Sequence, residues 1–194
     1  IAECGFVARA ISLAAGMPKE TTAYSVNRQC GSGLQSVADA VMEIQTGFAD
    51  VVVAAGAENI SQLPYYVKDA RWGARMGHKV FEDGVIDILT WPLNNSHNGT
   101  TAENVANQFH VTREEQDEFA LESHRRAVAA VKSGKFVEEI LPVELKDRKG
   151  NVTIFDTDEG PREGLTIEKL AKLRPVFVKD GTVTAGNSSS LNDG

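Results

Sequence analysis

A chain of 194 residues with 42% hydrophobic and 24% charged residues has ordinary globular composition and enough length for a buried core and an appended domain. Its formal net charge of −7 argues against nonspecific nucleic-acid binding, while leaving room for an anionic ligand held by a local cluster of Lys and Arg. No run approaches the roughly 18 apolar residues of a membrane-spanning helix, the first residues do not read as a signal peptide, and two cysteines, Cys4 and Cys30, are too few for a disulfide scaffold.

In chain order, Ile1 falls inside an apparent amphipathic helix with neither a cap nor an initiator methionine, so the chain is expected to begin within a longer protein. Thr22 to Val26 suit a strand, and after the run Asn27-Arg28-Gln29-Cys30-Gly31-Ser32-Gly33 the apolar positions Leu34, Val37, Ala38, Val41 and Ile44 follow the spacing of one helix face. Gly47 marks the stop, and Val51 to Ala55 is a short apolar run suited to a strand buried on both faces. Strand, helix and strand predict a βαβ unit with a right-handed crossover and a parallel pair, with ligands beyond the carboxyl ends of the strands, where Cys30 falls. A thiol at a helix N-terminus meets orphan N–H groups and the positive end of the helix dipole, which favour the thiolate, the form that attacks acyl carbon. Gly31 and Gly33 permit a sharp turn and close approach of a substrate. The residues alone also allow Cys30 to be a small buried hydrophobe.

From about Ser61 to Leu191 the pattern changes to long polar loops with isolated helices, which reads as an inserted domain. Tyr65, Tyr66 and Trp72 suit core or interface packing, and Glu58 and Asn59 are expected to tie a strand end to neighbouring loops. His97 precedes a capped helix. It reads either as a loop histidine that fixes the local backbone or as a neutral imidazole donating a hydrogen bond to a thioester or water. Thr100 with Glu103, and Thr112 with Glu115, predict two capping boxes; the first helix is expected to end near Phe109-His110 and the second near Lys132, before Ser133-Gly134. Val143 to Leu145 and Val152 to Phe155 predict a hairpin around a polar turn. Thr184 to Leu191, poor in bulky side chains, suits either close approach of a ligand or a plain connector. No histidine has metal-ligand spacing, so no metal is expected. Asn192 and Asp193 are helix-starting residues at the very end of the chain, which is expected to continue in the parent protein.

These residues resemble the thiolases, enzymes that join or split acyl groups on coenzyme A. The resemblance rests on Ala8-Arg9, Ala15-Gly16-Met17-Pro18, Val26-Asn27 with Cys30-Gly31-Ser32-Gly33-Leu34, and Ala55-Gly56-Ala57-Glu58-Asn59-Ile60-Ser61. It continues through Gly99 to Ala106, Arg113 to Ala120, Leu173-Arg174-Pro175-Val176-Phe177, Gly181 to Asn187 and Leu191-Asn192-Asp193-Gly194, so nearly the whole chain is covered. The resemblance implies an α/β class fold with thiolase-like αβαβα layers. Residues 1–60 would be part of the N-terminal core, 61–191 the loop domain that covers the active site and holds most of the coenzyme A, and 192–194 the return to the core.

It further implies that Cys30 is the acylated nucleophile of a ping-pong transfer, with acetyl-CoA and acetoacetyl-CoA as substrates and no separate cofactor. His97 matches a histidine used in binding the coenzyme A substrate, although Asn98 stands where a methionine lines the acyl pocket. Arg162 and Ser189 match coenzyme A contacts, and Ala185, Ser188 and Leu191 match positions along the pantetheine channel; Ser190 stands where glycine or another small residue is usual. The biosynthetic acetoacetyl type is expected, with a degradative 3-ketoacyl-CoA thiolase as the alternative, in a cytoplasmic or organellar homodimer or homotetramer. The family's acid/base histidine and second cysteine, and its asparagine-held water, would lie beyond Gly194, so little or no turnover is expected of these residues alone. A β-ketoacyl synthase, a cysteine hydrolase, or a non-catalytic binding or oligomerisation module are the competing readings.

Overall fold

The computed structural model describes residues 5–194, so Cys4 and the helix expected at Ile1 lie outside the described residues. Two units are distinguished: one runs to Ile88 and includes Leu191–Gly194, the other is Leu89–Ser190. The boundary therefore falls at 88/89, whereas the change of sequence pattern falls at 60/61.

In the first unit, helix α1 (Val7–Ala14) ends at a left-handed glycine, Gly16, with φ +82°. The Arg9 guanidinium donates to the carbonyls of Thr21 and Lys19, fastening the following connector to the helix. Helix α2 (Ser32–Gln45) forms where the apolar spacing predicts it, and Gly47 at φ +72° follows its end. Its stripe is not covered: Leu34 is 78% exposed, and of the whole helix only Ala40 is buried.

The expected parallel pair is not formed. Residues 22–26 and 51–55 belong to no strand, and Val51 and Val53 are 84% and 68% exposed. An apolar, β-branched run sets a preference for extended backbone, but a strand exists only where a neighbour accepts and donates its ladder hydrogen bonds. The Ser36 hydroxyl, which donates to the Gly33 carbonyl at 2.7 Å, also lies 3.3 Å from the Ala55 carbonyl of the second run.

The chain's last residues return to the end of that run. Asn59 and Asp193 form an antiparallel bridge, the Glu58 and Gly194 backbones exchange hydrogen bonds, and Asp193 accepts from the Ser61 amide at 2.8 Å and hydroxyl at 2.6 Å. The Ser61 hydroxyl and then its amide hold the Asp193 carboxyl below its ordinary range. Glu58 and Asn59 thus make a tie, but through their backbones and to the end of the chain rather than from a strand end, while among the described residues their side chains accept only from the neighbouring Asn59 N–H and Ser61 hydroxyl. Short strands β1 (Tyr65–Tyr66) and β2 (Glu82–Asp83) pair antiparallel before helix α3 (Gly84–Ile88).

The second unit opens with a two-strand hairpin, β3 (Thr90–Trp91) and β4 (Ser96–His97). It continues with α4 (Asn98–Phe109), α5 (Arg113–Lys132), a hairpin of β5 (Val143–Lys146) and β6 (Val152–Phe155), and α6 (Ile167–Ala171). Three expectations hold closely. Helix α4 ends at His110 in the left-handed conformation, α5 is opened by the Thr112/Glu115 capping box and ends at Lys132 before Gly134 at φ +71°, and β5 pairs with β6 from Val143↔Phe155 to Lys146↔Val152.

The Thr100/Glu103 box does not form. Helix α4 starts two residues earlier, capped by the His97 side chain, because Glu103 turns away to another partner. The buried residues of this unit are Ala106, Leu170, Val183 and Thr184 with the carboxylates Glu103 and Asp117. Among the described residues no helix is long and apolar enough to cross a membrane.

Candidate functional site

Cys30 is an exposed free thiol on a tight turn immediately before α2. The turn is tied by Gly31 N–H to the Arg28 carbonyl and Ser32 N–H to the Gln29 carbonyl, each at 3.0 Å. The Ser32 hydroxyl donates to the Gln29 carbonyl at 2.6 Å and accepts from Arg28 N–H at 2.9 Å, so one side chain closes the turn in both directions. Asn27 accepts from Gln29 N–H at 3.0 Å, and the Arg28 guanidinium donates to Gln35 on the first turns of the helix at 2.6 Å. Gln29 is left-handed, φ +51°, a conformation costly for a side-chain-bearing residue and found where the surroundings over-determine the backbone. The result presents the thiol to solvent at a helix start that carries no side-chain cap. Among the described residues Cys30 is thus exposed rather than packed as a small hydrophobe.

His97 ends strand β4, opposite Thr90, after a turn in which Asn95 is left-handed and Asn94 accepts from Ser96 N–H at 3.0 Å. Its Nδ1 accepts from Gly99 N–H at 3.0 Å, which caps α4 and puts the proton of the neutral ring on Nε2, the nitrogen left to meet a ligand. Its ring stacks on Phe177, with centroids 5.0 Å apart and planes at 21°. Gly99 is required beneath the pair, since a β-carbon there would collide with the Phe177 ring. His97 therefore fixes the local backbone. The signal that places it lies in Pro92-Leu93-Asn94-Asn95, a hairpin turn by its residues, whereas the cap itself leaves no sequence signal because an imidazole is not an ordinary capping group.

Ala185, Ser188 and Ser189 lie together on one short exposed segment, and Arg162 is an exposed residue whose backbone N–H donates to His124 Nδ1 at 3.1 Å. Leu191, also exposed, belongs with Cys30 to the first unit, whereas His97, Arg162, Ala185, Ser188 and Ser189 belong to the second. What sequence reasoning missed is the support under that segment. Glu103, 3% exposed, accepts from the N–H groups of Thr182 and Val183 at 2.8 to 3.0 Å and from the Thr182 hydroxyl at 3.0 Å. Burial pushes its carboxyl up, but the Val183 and Thr182 donors outweigh burial and hold it below the ordinary carboxylate range. Asp117, 2% exposed, accepts from Arg113 Nε at 2.7 Å and from Asn187 Nδ2 at 2.9 Å. Among the described residues no group of three or more His, Cys, Asp and Glu could hold a metal ion.

Comparison with known proteins supplies what geometry alone does not. The profile of the thiolase N-terminal domain matches residues 2–194. The acetyl-CoA acetyltransferase of Pseudomonas aeruginosa is 49% identical over 188 residues, 96% of this chain and 48% of that protein. The β-ketothiolase BktB of Cupriavidus necator is 50% identical over 189 residues, 97% of this chain and 48% of that protein. Among solved structures, the Bacillus anthracis acetyl-CoA acetyltransferase matches with TM-score 0.91 and 48% identity over 95% of this chain and 47% of its own. The human mitochondrial 3-ketoacyl-CoA thiolase matches with TM-score 0.92 and 43% identity over 97% of this chain and 48% of its own. The chain thus spans about half the length of the curated relatives it matches.

Proposed function

The chain belongs to the thiolase family, with the α/β fold of that family's N-terminal domain, and on that premise we propose that it carries the nucleophile of an acyl transfer between coenzyme A thioesters. Cys30 Sγ attacks the thioester carbonyl of acetyl-CoA; the carbon–sulfur bond to coenzyme A breaks, free coenzyme A departs with a proton, and the acetyl group remains on Cys30. A second acetyl-CoA, deprotonated at its α-carbon, then takes the acetyl group to give acetoacetyl-CoA, and the reverse sequence is thiolysis. His97 binds the coenzyme A substrate through Nε2–H, while Arg162, Ala185, Ser188, Ser189 and Leu191 hold the coenzyme A portion.

The observation that carries this reading is the exposed thiol on a turn closed from both sides by Ser32 at the start of α2. That turn is held by amides, a hydroxyl and a guanidinium, with no imidazole or carboxylate among the groups that tie it. The acid/base steps are therefore assigned to family elements outside these 194 residues, and net turnover is not expected of this chain alone. The exposed apolar stripe of α2 supports the same division, since such a face suits a larger core or a homodimeric or homotetrameric assembly.

Degradative thiolysis of longer 3-ketoacyl-CoA is the second reading. It is favoured by Asn98 and by the likeness to the human mitochondrial 3-ketoacyl-CoA thiolase. The test is incubation of the folded chain with acetyl-CoA followed by peptide mapping by mass. An acetyl adduct on the Cys30 peptide, absent in Cys30→Ala, is expected; a folded chain that stays unmodified, or an adduct that persists in the variant, would contradict the proposal.

A further inference from the structure

Two almost fully buried carboxylates, one from α4 and one from α5, converge on a single segment. Glu103 closes residues 182–183 by taking both backbone N–H groups and the Thr182 hydroxyl. Gly181, next to that clamp, has no room for a β-carbon, which would collide with the Glu103 carboxyl. Asp117 acts one step further along. Its Oδ1 accepts from Asn187 Nδ2, which also donates to the Thr182 carbonyl at 3.0 Å, while Asn187 Oδ1 accepts from Thr184 N–H at 2.7 Å. The Asn187 amide therefore has one workable orientation, with its NH₂ toward Asp117 and its oxygen toward Thr184. Arg113 holds the other Asp117 oxygen and donates to the carbonyls of Leu170 and Leu173 at the end of α6. The N–H groups of Thr182, Val183 and Thr184 and the Asn187 side-chain amide are thus spent on this network, and Ala185, Ser188 and Ser189 are left at the surface.

A core of apolar residues would stabilise this region without the desolvation cost of two buried charges. A loop that must meet an extended, mostly uncharged amide arm gains more from being preset, because ordering it during binding would weaken affinity. We propose that Asp117, through Asn187, and Glu103 are positioning residues that preset the 184–189 segment for the coenzyme A arm, an assignment that rests on the thiolase reading above.

The experiment compares acetylation of Cys30 by acetyl-CoA over a concentration series with acetylation by S-ethyl thioacetate, a thioester without the arm. In Asp117→Asn the side chain keeps its shape, but Arg113 retains the oxygen and the new amide NH₂ faces the Asn187 NH₂, two donors in opposition. The half-saturating acetyl-CoA concentration is expected to rise about tenfold, while the limiting rate and the rate with S-ethyl thioacetate stay within about twofold. Glu103→Gln keeps an oxygen for the two backbone N–H groups and is expected to change half-saturation by less than about threefold, whereas Glu103→Ala reproduces the loss seen in Asp117→Asn. Folding is checked by circular dichroism, and Asn187→Ala, which leaves both helices intact, replaces any variant that does not fold. Unchanged half-saturation, or an equal fall with both donors, overturns the positioning role and leaves the acyl-transfer reading standing. A wild-type chain acetylated by neither donor removes the positioning role together with the assignment of the first half-reaction to these residues.

Discussion

The two units solve the problem of order by different means. In 89–190 the ordered segment is held by a closed set of polar contacts, with Glu103 and Asp117 satisfied and Thr184 and Leu170 fully enclosed. In the residues up to 88 the Cys30 turn is equally well tied, but the apolar runs and the helix face on either side of it are exposed. The difference teaches that a local turn can be self-sufficient while the sheet that gives it a setting is not, since turn hydrogen bonds close within a few residues and ladder hydrogen bonds need a neighbour.

The contrast is broken most severely at Gly181. An alanine methyl there has to displace a carboxylate that already accepts from three donors, and overpacking of this kind costs about 1–3 kcal/mol. Gly181→Ala should therefore lower the urea midpoint of the chain clearly, and an unchanged midpoint would mean that the clamp yields freely. Acid probes the same clamp more gently. Because the folded Glu103 carboxyl is held below its unfolded value, its contribution is complete above the ordinary glutamate range and is lost as pH falls through the lowered folded value. Urea midpoints measured from neutral pH into that range should fall more steeply in the wild type than in Glu103→Gln; parallel curves would remove the carboxylate from the account. The smallest effect is expected in the other unit. Val53 is largely exposed despite sitting in a run that reads as a buried strand, so Val53→Ser should change the unfolding free energy by no more than about 0.5 kcal/mol. A loss of core size would show that this run is buried in solution.

What could be read from the sequence follows the same division. The Thr112/Glu115 box, the end of α4 near His110 and the 143–155 hairpin are set by residues within a few positions of one another, and all three were legible; the left-handed conformation of His110 was not. So was the placement of Cys30 on a turn before α2. The Thr100/Glu103 box failed because that spacing marks a possible cap without saying whether a distant backbone outbids it; Thr182 and Val183, some eighty residues on, offer Glu103 three donors. Phe177 and the pairing of Asp117 with Asn187 were missed for the same reason, since Asn187 lies 70 residues from Asp117 and Phe177 stacks on a histidine ring far earlier in the chain, and neither contact leaves a periodic trace. The 22–26 and 51–55 runs were misread as paired strands because composition reports a preference and pairing is a property of the partner.

The measurement that bears most directly on the account is isotope exchange. The chain is incubated with acetyl-CoA and labelled free coenzyme A, and label is followed into the acetyl-CoA pool. Reversible acylation of Cys30 predicts exchange without net condensation, abolished in Cys30→Ala. Acetate released with no label in acetyl-CoA would instead show that water, rather than coenzyme A, takes the acyl group, and would contradict the acyl-transfer reading.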